Sequence, residues 1–147
     1  MSPANRHFPL VLRCYLACFK GYRQNASTLD QIPMSNCVAS SGSHERIRFT
    51  LGLTGLFDRF EGRIFSVDDV SQGKPVPDIF LHAAEKMGTP PDRCAVIEDS
   101  ISGVTAGLAA GMAVFAFAGG VTGPAQLSID NAVIFEDMRN LPAALAI

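Results

Sequence analysis

The feature that most constrains the fold of this sequence is a regular alternation of short apolar runs and helical stretches. Apolar runs of strand length occur at residues 37–40, 63–67, 94–98 and 113–118. Stretches with helical periodicity separate them, and such long connections are typical of parallel strands. Since the runs are almost continuously apolar, we expect the sheet to be buried on both faces. The sequence therefore predicts an α/β fold, a Rossmann-like three-layer sandwich with a mostly parallel sheet.

Local signals predict where the connecting helices begin and end. Ser43 or His44 is expected to start a helix over residues 43–56, and Ser100 a helix that continues to Gly111. A third helix, PDIFLHAAEKMG, has an apolar stripe and a glycine stop. A further strand is predicted at AVIF and a helical turn at the terminal LPAALAI.

The first 35 residues lack this regular pattern. Residues 21–28, GYRQNAST, resemble a loop, so we divide the chain into an atypical segment, 1–35, and a core domain, 36–147. The apolar stretch 8–19 is interrupted by Arg13, and no small-residue cleavage site follows it. This argues against a secretory signal.

Charge and composition exclude several classes of partner. The net charge is −2 and there is no large basic block, so we expect neither nucleic acid nor membrane as a partner. Residues 104–121 are uncharged, but they divide into an Ala/Gly-rich helix and a β-rich run, which argues against a membrane span. Cys37 and Cys94 lie in apolar runs and are predicted to be buried thiols, which fits a reducing cytoplasm.

Polar side chains stand at the ends of three of the apolar runs. Ser40 ends the first run and Ser41 follows it, Lys74 stands in GKPVPD after the second, and Glu98 ends the third, with Asp99 next to it. Because the carboxyl ends of parallel strands meet at one edge, these side chains are expected to converge. Carboxylates suit Mg²⁺, whereas hydroxyl groups and an ammonium suit phosphate. The set predicts a magnesium-assisted phosphate site.

The same stretches resemble the motifs of a known family. CVASSGS, GKPVPD and VIEDSISGVTAGLAAGM resemble motifs II, III and IV of the haloacid dehalogenase superfamily, in its branch of sugar-phosphate phosphatases and β-phosphoglucomutase-like proteins. The resemblance implies that Ser40 and Ser41 bind phosphate and that Lys74 balances its charge. It also implies that Asp99, assisted by Glu98, binds Mg²⁺, with Lys74 and Asp99 as the catalytic pair. The implied ligand is a small sugar-phosphate-like metabolite, hydrolysed through an aspartyl-phosphate.

Part of the family pattern does not occur in this sequence. Motif I, D-x-D-G-T, carries the nucleophile, and no D-x-D is present; the helical cap of the family is also absent. We therefore expect negligible phosphatase activity from this chain. In the family the motif I strand lies between those of motifs II and IV. Residues 8–19 are a candidate to fill that place; otherwise a sheet edge would be exposed and favour self-association.

Other interpretations remain open at this stage. The chain is alternatively a non-catalytic remnant or a phosphate- and Mg²⁺-binding subunit, or, less favoured, a receiver-like domain with Asp68 or Asp69 as phosphoacceptor. Ser40 would also suit the cap of the next helix, and Glu98 and Asp99 the start of the helix from Ser100. The glycines within that helix are expected to allow close packing on the sheet.

Overall fold

Six parallel strands form one sheet in this computed structural model, which describes residues 13–15 and 22–146, with side chains from residue 26. The strands are β1 (Arg13–Tyr15), β2 (Asn36–Ser40), β3 (Ile64–Ser66), β4 (Ala95–Glu98), β5 (Ala113–Phe117) and β6 (Ala132–Phe135). Their order across the sheet is β3-β2-β1-β4-β5-β6, and every neighbouring pair is parallel. The Rossmann-like parallel sheet predicted from the sequence is confirmed.

Helices connect consecutive strands, as parallel pairing requires. They are α1 (Tyr22–Asp30), α2 (His44–Leu53), α3 (Phe57–Phe60), α4 (Asp78–Lys86), α5 (Ile101–Ala109), α6 (Pro124–Leu127) and α7 (Leu141–Ala144). Ser43 caps α2 and Ser100 caps α5, each accepting a hydrogen bond from a backbone N–H three residues on. Both predicted helix starts are confirmed.

Two apolar cores cover the two faces of the sheet, because successive side chains of a strand point to opposite faces. Val96 on β4 packs into the core that contains α4 and α5. Its neighbours Ala95 and Ile97 pack into the core that contains α1, α2 and α7. The result is the predicted three-layer sandwich. Cys37 and Cys94 are fully buried, as predicted.

The prediction of a loop at residues 21–28 is wrong, because α1 spans Tyr22–Asp30. Residues such as Asn, Ser and Thr are weak helix formers, and local propensity alone gave no helix. Tertiary packing decides the outcome: Thr28 and Leu29, near the end of α1, are buried, and Leu29 belongs to the same core as α2 and α7.

The centre of the sheet is occupied by β1. Arg13 pairs with Asn36 on one side and Ala95 on the other, so β1 separates β2 from β4. The hypothesis that part of residues 8–19 fills this place is confirmed for residues 13–15; residues 8–12 and 16–19 lie outside the described chain. The described N-terminal residues thus contribute a strand and a helix to the same sheet and core, while the domain boundary at residue 36 stays a prediction.

Within the described chain, no helix has the length and apolarity that crossing a bilayer requires. The uncharged run 104–121 forms most of α5 followed by β5, as predicted. Gly111, with φ of 74°, turns the chain between the two.

Candidate phosphate site

The side chains singled out from the sequence lie at the carboxyl end of the sheet. Ser40 ends β2, Glu98 ends β4, and Lys74 is in the connection from β3 to α4. Since β2 and β4 flank β1, anything that touches both must reach across the end of β1.

The Lys74 side chain contacts both β2 and β4. Its Nζ lies 2.5 Å from Glu98 Oε1 and 3.3 Å from the Ala39 carbonyl oxygen, to which it donates a hydrogen bond. The ammonium also lies 4.7 Å from the centre of the Phe80 ring, a cation–π distance. Only 3% of the Lys74 side chain is exposed. The ammonium is therefore held in a fixed position between β2 and β4.

The backbone around Lys74 is restricted by its sequence. Pro75 and Pro77 fix their φ angles, and the N–H of Val76 donates to the Gly73 carbonyl across the turn. The carbonyl of Pro77 then accepts from the Phe80 N–H at the start of α4. Because the prolines already restrict the backbone of the unfolded chain, less conformational entropy is lost when folding fixes the position of Lys74.

Glu98 has both carboxylate oxygens in use. Oε1 pairs with Lys74, whereas Oε2 accepts hydrogen bonds from the N–H groups of Asp99 and Ser100 and from Ser100 Oγ, at 3.1, 3.2 and 2.9 Å. Its side chain is 1% exposed. The carboxylate is thus directed at Lys74 and the start of α5.

Asp99 is placed differently from its neighbour. It is half-buried, and in the part of the chain with described side chains no hydrogen bond or ion pair engages its carboxylate. The cap of α5 is Ser100, so Asp99 does not serve as that cap. Among the described side chains, the Asp99 carboxylate therefore lacks the contacts that occupy the Glu98 oxygens.

The loop after β2 presents two serines. Ser40 Oγ accepts a hydrogen bond from the Gly42 N–H at 3.1 Å, and Ser41 is exposed. Ser43, not Ser40, caps α2. The Ser40 hydroxyl therefore belongs to the loop between β2 and α2 rather than to the helix cap.

The last residue of β3 and the turn that follows it hold this loop in place. The Ser66 hydroxyl donates to the Gly42 carbonyl at 2.7 Å, and Asp69 Oδ1 lies 2.8 Å from His44 Nε2. Asp68 accepts from the His44 N–H. Sequence reasoning missed Ser66 and found no partner for His44. The three-residue spacing of Ser66 and Asp69 is that of a capping box, and it could have indicated that both side chains bond to the backbone at the end of β3.

The charge state of Asp69 follows from these contacts. Partial burial raises the pKa of the Asp69 carboxyl, but the hydrogen bond from the Ser66 N–H and the contacts with His44 outweigh it. Together they lower the pKa below its ordinary value of 3.8. Asp69 is therefore an anion that links β3 to the start of α2.

Among the described side chains, the acids at this edge do not by themselves form a metal site. No group of three or more His, Cys, Asp or Glu side chains among them is arranged to hold a metal ion. The Asp99 carboxylate fits as one ligand, since Mg²⁺ is often held by one or two carboxylates together with phosphate and water. The Glu98 oxygens are occupied by Lys74 and the α5 turn.

A parallel sheet with a buried lysine, a serine loop and an acidic turn at its carboxyl end defines a Rossmann-like α/β core whose candidate site lies at that edge. The sequence profile of the haloacid dehalogenase-like hydrolases matches residues 24–111. The chain belongs to this family.

Named relatives agree with this assignment. The chain is 33% identical over 89 residues to 6-phosphogluconate phosphatase of Escherichia coli (strain K12), covering 60% of this chain and 40% of that protein. It is 41% identical over 100 residues to β-phosphoglucomutase of Mycobacterium bovis, covering 65% and 37%. A haloacid dehalogenase-like crystal structure from Agrobacterium tumefaciens has a TM-score of 0.77 at 36% identity, covering 82% and 58%. The chain thus spans less than two thirds of each relative.

Proposed function

We propose that this chain carries the phosphate- and cation-binding part of a Mg²⁺-dependent phosphomonoesterase site for a small sugar-phosphate-like metabolite. Family membership and the similarity to a 6-phosphogluconate phosphatase and a β-phosphoglucomutase support this class of ligand. The buried thiols Cys37 and Cys94 suit a reducing compartment, and we infer a cytoplasmic location.

The single observation that carries the proposal is the position of the Lys74 ammonium. Lysines normally keep this group in water, and its burial is unfavourable without close partners. Here it lies at the edge where three strands end, between Ala39 of β2 and Glu98 of β4. A phosphoryl group bound over β1 would meet a cation already in position, with no reorganisation required.

The neighbouring residues would complete the binding of a phosphate ester. Ser40 and Ser41 would donate hydrogen bonds to its oxygens, and Asp99 would hold Mg²⁺. The bound ion would neutralise charge on the phosphoryl oxygens. Glu98 is assigned to Lys74, because its oxygens are already bonded to the ammonium and to the α5 turn. This assignment differs from the metal role that the family resemblance implies.

Catalysis in the family needs a carboxylate nucleophile that this sequence does not contain. No D-x-D occurs in the 147 residues. Removal of a catalytic nucleophile in a covalent mechanism reduces the rate by about 10⁶-fold. We expect negligible hydrolysis of p-nitrophenyl phosphate by the purified chain, with phosphate binding retained. Metal-dependent turnover well above the buffer rate would contradict this part of the proposal.

Calorimetric titration with inorganic phosphate, with and without Mg²⁺, tests the binding function. We expect saturable binding that Mg²⁺ strengthens. Lys74→Met should weaken it by about tenfold or more, the loss expected for a charge-assisted hydrogen bond. Lys86→Met is the matched control, since Lys86 is exposed on α4. Equal affinity in both variants would contradict the proposal.

A further inference from the structure

Gly103 lies in the first turn of α5, against the Glu98 carboxylate. A Cβ atom built on Gly103 would lie 1.9 Å from Glu98 Cδ and 2.1 and 2.3 Å from its two oxygens. Real Cβ atoms essentially never approach another heavy atom closer than 3.0 Å. Any side chain at position 103 would therefore displace the carboxylate.

Backbone conformation does not explain a glycine at this position. The described glycines with positive φ are others, namely Gly55, Gly62, Gly88 and Gly111. Gly103 is inside a helix, where glycine is less favourable than alanine by about 1 kcal/mol. The three heavy atoms nearest to a Cβ atom at position 103 all belong to the Glu98 side chain, which therefore occupies the space that a larger residue would need.

Gly107, one turn further along α5, provides a contrast. A Cβ atom there would lie 2.8 Å from Val114 and 3.3 Å from Val96, both of them apolar side chains of the sheet. Gly107 therefore serves only helix–sheet packing. The same helix thus contains one glycine that faces a carboxylate and one that faces the apolar core.

We propose that Gly103 is a positioning residue, which leaves room for the Glu98 carboxylate and thereby fixes the Lys74 ammonium at the phosphate site. The Ser100 hydroxyl connects the same groups: it donates to Glu98 Oε2 and accepts from the Gly103 N–H at 3.1 Å. Glu98 Oε1 then meets Lys74 at 2.5 Å. The contact between Gly103 and Glu98 does not depend on any ligand, whereas its effect on phosphate affinity rests on the proposed function.

The test follows the side-chain NMR signals of the three lysines, Lys20, Lys74 and Lys86, in the full chain. The Lys74 signal is assigned by its loss in Lys74→Met. Gly103→Ala should move this signal and weaken phosphate binding by about tenfold, because the ammonium loses a charged partner. Gly107→Ala should lower the melting temperature and leave both readouts unchanged.

A compensating change separates positioning from general damage. Glu98→Asp shortens the side chain by one methylene, so Gly103→Ala/Glu98→Asp should return the Lys74 signal and the affinity toward their parent values. If Gly103→Ala fails to fold, recovery of folding in the double variant supports the proposal. An unmoved Lys74 signal in folded Gly103→Ala, or no recovery in the double variant, overturns it. A signal that moves as expected in a chain that binds no phosphate refutes the proposed function and leaves the positioning role standing.

Discussion

The Lys74–Glu98 pair combines a strong attraction with the loss of water around both charges. Such a buried pair adds little net stability compared with apolar residues, but removal of one partner leaves the other charge buried and alone. The position of this pair at the proposed phosphate site is therefore explained by function more readily than by stability.

Lys74→Met tests this view of the pair. The substitution should lower the free energy of unfolding by about 3 kcal/mol, because Glu98 is left without its cation. Lys74→Met/Glu98→Gln should recover about 1 kcal/mol or more, since no uncompensated charge remains. Urea denaturation of the parent and both variants measures the difference. A double variant less stable than Lys74→Met would contradict this reasoning.

Substitution of Asp99, unlike that of Lys74, should affect metal binding and not the stability of the fold. Its carboxylate has no partner among the described side chains, so Asp99→Asn should change the melting temperature little. The same substitution should abolish the gain in phosphate affinity that Mg²⁺ produces. Calorimetry with and without the metal measures this. An Asp99→Asn variant that keeps the full metal effect would exclude Asp99 as the ligand.

At the scale of elements, the structure shows which parts of the site depend on pairing between segments. The 3₁₀ turn after β3, Val67–Asp69, carries the acids that bond to His44 at the start of α2. This link, together with the Ser66 hydrogen bond to Gly42, ties the loop after β2 to the end of β3. Because Asp69 must be ionised to make it, the link depends on pH.

Asp69→Asn should lower the free energy of unfolding by about 1 kcal/mol at pH 6. The pKa of Asp69 is lowered on folding, so its contribution is complete above the ordinary value of 3.8 and is lost as pH falls through the lower, folded value. The difference between parent and variant in urea denaturation should therefore shrink toward zero in acid. Asp58→Asn, at an exposed position, is the control. A difference that is constant with pH would refute an ionic role.

The sequence predicted elements well where pattern and packing agree. Strands β2 to β6 and the caps Ser43 and Ser100 followed from apolar runs and cap residues. Helix α1 was missed because its stability comes from tertiary contacts of residues such as Leu29. In the site, spacing indicated that Lys74 and the acids converge. It could not show that Glu98 turns to the ammonium while Asp99 does not, since that depends on side-chain packing around Gly103.

At the scale of the whole molecule, β1 makes one continuous sheet from two halves. Because β1 pairs with both β2 and β4, neither of these strands has an exposed edge, and the outer strands of the described sheet are β3 and β6. Both outer strands are short, which limits but does not remove their capacity to pair with another chain.

Self-association through a sheet edge therefore remains a prediction, now directed at β3 or β6. Sedimentation velocity over a wide range of concentrations should show a weak dimer. Ile64→Lys, on β3, should reduce it if that edge pairs, because charged edge residues oppose strand addition. Val133→Lys provides the matched change on β6. A monomer at all concentrations would exclude edge pairing.

The proposed function requires that the Lys74 ammonium is held where a phosphoryl group binds. The most direct measurement is the NMR signal of the Lys74 side chain during titration with inorganic phosphate in the presence of Mg²⁺. We predict a saturable change at Lys74 that Lys86, exposed on α4, does not share. A Lys74 signal that stays unchanged, or that moves only in parallel with Lys86, would show that phosphate does not bind beside the Lys74 ammonium.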